Sequence, residues 1–479
     1  MKKISIDPIT RLEGHGKIEI FLEEGKVRDV FLVVPEFRGF EKFSEGRKAE
    51  DMPQLTSRIC GVCPVAHHFA ATKALDDAFS CEVPIKAKKL RELMYCGYII
   101  YDHILHFYFL GGPDFLVGKD APKEKRNIIG VIEKYGEKIG LEVIKHRAYG
   151  QKITEIIGGK ATHPVCGVPG GVTKGISEEE RKEIEKMARS CVDFSLLTLD
   201  IFKKNILKSD DYKDLFFNEK YELTVYNMGL VDDDKSLNFY DGKVRITSPD
   251  NKEFALFEPR EYLEYIEEGV FEWSYVKFPY LKKIGFKGFS DGINNGIYRV
   301  GPLARLNVSE YLKTKNAQKE FEEFYNTYDK KPINNIFAYH WARLIELLYA
   351  SERALELASE KEIIGFDNIR NLNYKIKKDG VGIVEAARGT LIHHYFLKED
   401  GTIEKVNLIV ATTNNNIALN MSLKIGALSV EDSLEREDEK LLNRIEMFFR
   451  AYDPCLACAS HYLNFRIIEK RRDKITIIF

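Results

Sequence analysis

The sequence predicts an α+β fold, mainly α, in which a core of long helices surrounds a buried metal site and β-hairpins lie at the periphery. Three observations predict it. Cys60-Gly61-Val62-Cys63 and Cys455-Leu456-Ala457-Cys458 are Cys-x-x-Cys turns near opposite ends of the chain, each aiming two sulfurs at one point. Together they supply enough thiolate to close the coordination of a soft metal, but only once the whole chain has folded. Long stretches carry an apolar face at helical spacing, above all residues 85–110, and segments with turn signals between them mark hairpins near 17–34 and 381–410.

A chain of 479 residues, 44% hydrophobic and 30% charged, has the composition of an ordinary globular protein with a large core. Its formal net charge of −2 gives no reason to expect nucleic acid or an acidic membrane surface as partner. The best candidate for a membrane span, residues 98–110, is interrupted by Asp102, His103 and His106, so no direct membrane insertion is expected. The first residues turn polar too soon for a secretory signal, and paired Cys turns in such a chain favour metal or redox work over disulfides. A cytoplasmic protein is expected.

In chain order, residues 7–19 form a loop that carries Arg11-Leu12-Glu13-Gly14-His15 and feeds a hairpin, 17–22 and 26–34, about Glu23-Glu24-Gly25. Glu13 thus sits where working carboxylates are common, although a loop acid is more often simply solvated. A helical stretch is expected from Phe37-Arg38-Gly39-Phe40-Glu41 towards Pro53. The first Cys turn follows, then a helix from Pro64 to Phe79 that brings His67 one turn past Cys63, close enough to hydrogen-bond a metal-bound sulfur. His68 points elsewhere, to the surface or into packing.

Residues 85–110 read as one long helix. An acid and two imidazoles in its apolar face are costly without partners; a satisfied core network is the bland explanation and a shell around the metal the sharp one. The Gly/Pro-rich segment 158–175 matches no phosphate-binding loop. Ser177 and Glu180 form a capping box that opens a helix of about thirty residues. From about 218 to 300 the chain becomes β-rich and loop-rich, read as an insertion on one body. Helices resume at 317–328 and 334–359. A hairpin over 381–410 carries Arg388 between apolar residues, for which a core ion pair and a functional post compete evenly. A helix over 431–451 delivers the second Cys turn.

Spacing alone favours structural zinc for two Cys-x-x-Cys pairs. Against zinc stand the distance between the pairs, their apolar or acidic flanks, and the Arg, Glu, His and Asp residues that an inert ion would not need. Cys81, Cys96, Cys166 and Cys191 are scattered singly, without iron–sulfur spacing, so electrons from a redox metal here must leave to another polypeptide.

Arg58-Ile-Cys-Gly-Val-Cys63-Pro-Val-Ala-His67 and Asp453-Pro-Cys-Leu-Ala-Cys458-Ala-Ser-His461 resemble the two signature motifs of the [NiFe]-hydrogenase large subunit. Arg11-Leu-Glu-Gly-His15, Phe37-Arg-Gly-Phe-Glu41, Asp102-His-Ile-Leu-His-Phe-Tyr108 and Glu385-Ala-Ala-Arg-Gly389 match that family in the same order, over essentially residues 4–461. Tyr339-His-Trp-Ala-Arg and Arg388-Gly-Thr-Leu-Ile-His-His-Tyr395 resemble its cytoplasmic multimeric branch, in particular the F420-non-reducing hydrogenases that feed heterodisulfide reductase, with NAD(P)-linked sulfhydrogenases second.

The resemblance implies the nickel-dependent hydrogenase large-subunit fold and heterolytic splitting of H2, with residues 1–461 as one domain. Nickel would be held by Cys60, Cys63, Cys455 and Cys458, the first and third terminal, the second and fourth bridging to an iron with CO and CN ligands. Cys455 sulfur would take the proton first and Glu13 relay it. Arg388, fixed by Asp102 and Asp453, would stand over the open site, where lysine could not present the same planar fork. Thr412 would hydrogen-bond a cyanide and His67 a bridging sulfur. Glu41, His461 and the Leu408 carbonyl would hold magnesium. The implied partners are an iron–sulfur small subunit, further electron-transfer subunits such as heterodisulfide reductase, and a maturation endopeptidase.

Two departures from the family pattern stand out. Ala387 precedes Arg388 where the family usually has proline, which predicts a looser loop. The chain also continues past His461, so residues 462–479 read as a C-terminal propeptide. A non-turnover H2 sensor, a non-catalytic relative of complex I ancestry and a structural zinc protein are the rival readings; the four intact thiols speak against the complex I relative.

Overall fold

The computed structural model describes residues 2–436 and 438–461, together with the backbone of 467–471 and 474–478. The chain opens with an antiparallel sheet, β1 (Lys2–Ile6), β2 (Lys17–Glu23) and β3 (Lys26–Val33), whose register sets Ile4 opposite Ile20 and Ile20 opposite Val30. Alternation of buried Ile and Leu with polar residues turns one face of this sheet to the core.

Helix α1 (Pro64–Ala78) follows the first Cys turn, with proline at its first position, where the missing N–H costs nothing. Then come α2 (Ile85–Leu105), α3 (Glu137–Gly158) and α4 (Glu178–Phe202), the last opened by the predicted Ser177/Glu180 capping box. A β-rich stretch holds β4 (Tyr226–Val231), β5 (Lys243–Thr247) and β6 (Glu253–Phe257), and Tyr298–Arg299 pairs parallel to β4. Next are α5 (Pro302–Val308) and α6 (Ala338–Ser359), the antiparallel strands β7 (Asp379–Ala386), β8 (Gly389–Leu397) and β9 (Ile403–Ile409), and finally α7 (Asn416–Leu428) and α8 (Glu439–Ala451).

Helices α2, α3, α4 and α6 pack as a closed ring, α2 on α3, α3 on α4, α4 on α6 and α6 back on α2. The α2–α3 crossing is glycine on glycine. A Cβ at Gly150 would lie 2.7 Å from the Gly97 carbonyl, and one at Gly97 2.9 Å from the Ile153 side chain, so only glycine allows this approach. Helix α1 lies across β7 and β8. The β4–β6 sheet shares one apolar cluster with Val381, Ile383, Ile392 and Ile409 of β7–β9, which fastens the 218–300 region to the body.

Several expectations are corrected. The stretch from Phe37 to Pro53 is not one helix: Phe40–Ser44 and Ala49–Asp51 are short separate turns, and the helix Met52–Ser57 runs past Pro53, with that proline in its first turn. The helix expected over 85–110 changes to π geometry at His106–Leu110, and the helix expected at 334–359 starts at Ala338. The segment 431–451 is a 3-10 turn, Glu431–Arg436, followed by α8. Strand β1 and helices α3 and α7 were not anticipated. The first five residues of the expected propeptide, 462–466, lie outside the described residues; further on, Ile467–Arg471 pairs antiparallel with Lys474–Ile478.

Candidate metal centre

The first Cys turn links the helix Met52–Ser57 to α1. Backbone N–H groups of Val62 and Cys63 donate to Cys60 Sγ at 3.2 and 3.4 Å, which fixes the turn about its own sulfur. The second turn leaves α8 through Asp453, a non-glycine residue with φ of 57°, and enters the short helix Leu456–Ala459. The Cys455 N–H donates to Thr412 Oγ1 at 3.0 Å, and the Leu456 N–H to the Glu13 carbonyl at 2.8 Å. The Glu13 loop can lie this close because Gly14 has φ of 86° and no Cβ; a Cβ there would stand 2.5 Å from the Ala457 nitrogen.

All four sulfurs are buried and lie within 4.8 Å of one another. Cys60 and Cys455 Sγ are 3.5 Å apart, Cys63 and Cys458 3.3 Å, Cys455 and Cys458 2.8 Å. Hydrogen bonds, first from Cys455, hold the Cys60 thiol well below its ordinary value, while burial pushes Cys455 and Cys458 well above theirs. Four such sulfurs cannot all be charged in a buried space without a cation among them. The donor set therefore fits a thiophilic metal, whose binding releases protons.

Around the sulfurs stand the residues singled out in the sequence. Glu13 Oε2 is 2.8 Å from Cys455 Sγ, and burial, then the Cys60 charge, raises its carboxyl. Arg388 spans Asp102 Oδ2 at 3.1 Å and Asp453 Oδ2 at 3.1 Å, all three side chains buried. Burial alone would depress the guanidinium, but the two aspartates hold it well above its ordinary value, and Asp453 itself is pushed up by burial to about 7. His67 Nδ1 lies 3.2 Å from His393 Nε2, its own Nε2 meets no polar partner, and burial lowers it to about 4, so it is neutral.

Glu41 Oε1 accepts from the Leu408 N–H at 2.8 Å and from Lys277 Nζ at 2.8 Å. The buried His461 ring packs edge-on against Phe40, and neither of its nitrogens has a polar partner. Asp102 belongs to this shell, whereas His103 and His106 are bonded elsewhere through Nε2, to Glu346 Oε2 (3.0 Å) and the Arg450 carbonyl (2.8 Å), with Nδ1 of each unpaired. His68 is wholly in packing, bonded to the Pro53 carbonyl and the Gly167 N–H.

Sequence reasoning missed His393 and Lys277. His393 lay in the predicted hairpin, yet nothing marked it apart from His394. Lys277 did carry a signal, a single cation in the apolar run Val276-Lys277-Phe278, and its side chain bridges Glu41, Glu268 and Asn407. Among the described residues these four cysteines form the one metal-holding group, and no helix is long and apolar enough to cross a membrane.

A four-thiol group assembled from both ends of an α+β chain defines a metalloprotein with a site for a thiophilic metal, and comparison with known proteins gives the family. Residues 38–138 and 127–461 match the family described as nickel-dependent hydrogenase, and residues 3–37 match the one described as HoxL-like. An F420-non-reducing hydrogenase iron-sulfur subunit from Archaeoglobus profundus is 46% identical over 465 residues, 97% of this chain and 95% of that protein. The beta subunit of the NAD-reducing hydrogenase HoxS from Cupriavidus necator is 36% identical over 97% of this chain and 95% of its own length. A crystal structure of NAD+-reducing [NiFe]-hydrogenase in the H2-reduced state superposes with a TM-score of 0.88 at 36% identity, covering 96% of this chain and 100% of that one.

The chain belongs to the nickel-dependent hydrogenase family. It is an oxidoreductase acting on H2, in the form of the catalytic large subunit, and the metals of its four-cysteine site are nickel and iron, not the zinc that spacing alone favours.

Proposed function

We propose that this subunit splits or forms H2 heterolytically with Glu13, Cys455 and Arg388 as its working groups. The nickel–iron centre, with CO and CN ligands on iron, supplies the electron-accepting site at which H2 is cleaved. Cys60, Cys63, Cys455 and Cys458 hold it. The observation that carries the reading is the 2.8 Å contact between Cys455 Sγ and Glu13 Oε2. A sulfur that takes a proton there hands it to a carboxylate raised by burial, which is matched to receive and release it. Arg388 presents a fixed positive fork in a space closed to water, oriented by Asp102 and Asp453 from either side.

His67 is neutral, with Nε2 left to donate to a sulfur. Thr412 accepts from Cys455 with its oxygen and keeps its hydrogen to donate to a cyanide. Glu41, His461 and the Leu408 carbonyl form a magnesium site that pins the C-terminal segment, a role supported by the two partnerless nitrogens of His461 and by Leu408 lying against Glu41. Residues 462–479 are removed during maturation by an endopeptidase.

Electrons leave to an iron–sulfur small subunit docked over the first Cys turn, where exposed Arg58 and Gly61 flank buried Cys60 in the chain. They continue to a heterodisulfide-reductase-type acceptor in a cytoplasmic assembly, a reading supported by 40–46% identity to several F420-non-reducing hydrogenase subunits. An NAD(P)-linked assembly is the second reading, favoured by the superposition on the NAD+-reducing enzyme.

The test is the infrared spectrum of the assembly purified from its host, with metal analysis. Metal-bound CO and CN bands with nickel and iron are expected; zinc without those bands would overturn the reading.

A further inference from the structure

Arg388 sits in a turn that does not hold itself. Ala386 pairs with Gly389, so Ala387 and Arg388 close the β7–β8 hairpin; neither has positive φ, which falls instead on Gly389, at 136°. Two-residue hairpins whose twist matches their strands need positive φ in the loop; other turns splay the strands. Proline at 387 would at least fix φ, and this chain has alanine there. The turn is instead gripped from outside. Arg305, on α5, donates to the carbonyls of Ala386 at 2.7 Å and Ala387 at 3.3 Å, and Asn415 Nδ2 donates to the Arg388 carbonyl at 3.3 Å. The remaining grip is an N–H that proline would not possess: Ala387 donates to the Tyr98 hydroxyl at 3.0 Å.

We propose that Tyr98 is a positioning residue for Arg388, its hydroxyl holding the Ala387 N–H so that the guanidinium stays aimed over the four sulfurs. Tyr98 is suited to this. It is fully buried on α2, one turn before Asp102, and its ring is wedged edge-on between Tyr95 and Tyr101 at 5.4 and 5.6 Å. The same helix therefore delivers both the carboxylate that binds the Arg388 side chain and the hydroxyl that binds its backbone. Tyr98 touches no reacting atom; it acts through the turn. The proposal rests on the role given to Arg388 above.

The test is Tyr98→Phe in the complete, metal-loaded assembly, read three ways. Amide exchange of residues 386–391 is expected to accelerate roughly tenfold, the loss of one buried hydrogen bond, while the β1–β3 sheet exchanges as before. The kcat for H2 oxidation is expected to fall severalfold with KM for H2 unchanged. Adding Ala387→Pro, which removes the orphaned N–H and fixes φ, is expected to restore much of the kcat. Unchanged exchange at 386–391 overturns the proposal, as does a double variant no faster than Tyr98→Phe, which would place the loss in the ring's packing. Faster exchange with kcat intact keeps the clamp and sinks the role of Arg388.

Discussion

Two buried arginines meet at the β7–β8 turn, Arg388 within it and Arg305 gripping it from α5, each between two buried carboxylates. Arg305 is fully used. It bonds Glu346 through Nε and Nη2 at 2.6 Å each, Glu385 at 2.8 Å and two carbonyls, and Glu346 is further bonded by His103 at 3.0 Å. Arg388 makes one hydrogen bond to each aspartate, to Asp102 Oδ2 at 3.1 Å and Asp453 Oδ1 at 3.2 Å, and its Nε, Asp102 Oδ1 and Asp453 Oδ2 have no hydrogen-bond partner. Buried charge is costly unless its hydrogen bonds are complete. Arg305, with every N–H bonded, is architecture. The Arg388 network keeps more unpaired polar atoms, and it is the one beside the sulfurs.

The comparison is broken most severely at the proposed proton exit. Glu13→Gln keeps the shape of the loop but cannot carry a proton, so H2 oxidation is expected to fall by roughly 10²- to 10⁴-fold with nickel content unchanged. Retained activity in a loaded Glu13→Gln enzyme would move the relay elsewhere. Arg388→Lys comes next. Lysine keeps the charge and loses the fork, for an expected drop in kcat on the order of 10²-fold with little change in melting temperature. The stability side should be tolerant because Asp453, already raised to about 7, takes a proton readily. Arg305→Met should do the reverse. It strands Glu346 and Glu385 without compensation and should lower unfolding free energy by about 3–5 kcal/mol, read from the denaturant midpoint. If Arg388→Lys unfolds the protein as Arg305→Met does, the distinction between the two networks fails.

The same contrast explains what the sequence made legible. The cysteine turns, Glu13 and Arg388 could be found because each breaks a local pattern: sulfurs paired at three-residue spacing, a carboxylate in a tight glycine loop, a cation between strand residues. Helices α1, α2 and α4 were legible from proline, apolar period and capping box. Arg305 was not legible as a clamp, because its partners Glu346 and Glu385 are distant in sequence and an arginine in a helix ordinarily faces solvent. Helix α7 escaped because it is buried on nearly every side, Asn416, Asn420 and Ser422 included, so its polar residues mark no solvent face. The helix expected from Phe37 failed where Gly39 takes φ of 63° and Glu45 leaves the helical region, neither of which periodicity can register.

Thr412, bonded to the second Cys turn, tests how far the architectural role extends. Its oxygen accepts the Cys455 N–H at 3.0 Å, a bond any backbone-holding residue could make, while its hydrogen makes no hydrogen bond among the described residues. Thr412→Val has nearly the same shape and leaves that buried N–H without an acceptor, at an expected cost of about 1–3 kcal/mol in stability. Thr412→Ser restores both the acceptor and the donor. If the hydroxyl serves only the backbone, Val lowers the melting temperature and leaves the infrared bands of the loaded assembly in place. If it also donates to a cyanide, Val shifts a CN band and Ser returns it, a response that depends on the hydrogen and not on the oxygen. The shift is the expected outcome, because Thr412 is 1% exposed and its hydroxyl donates no hydrogen bond among the described residues.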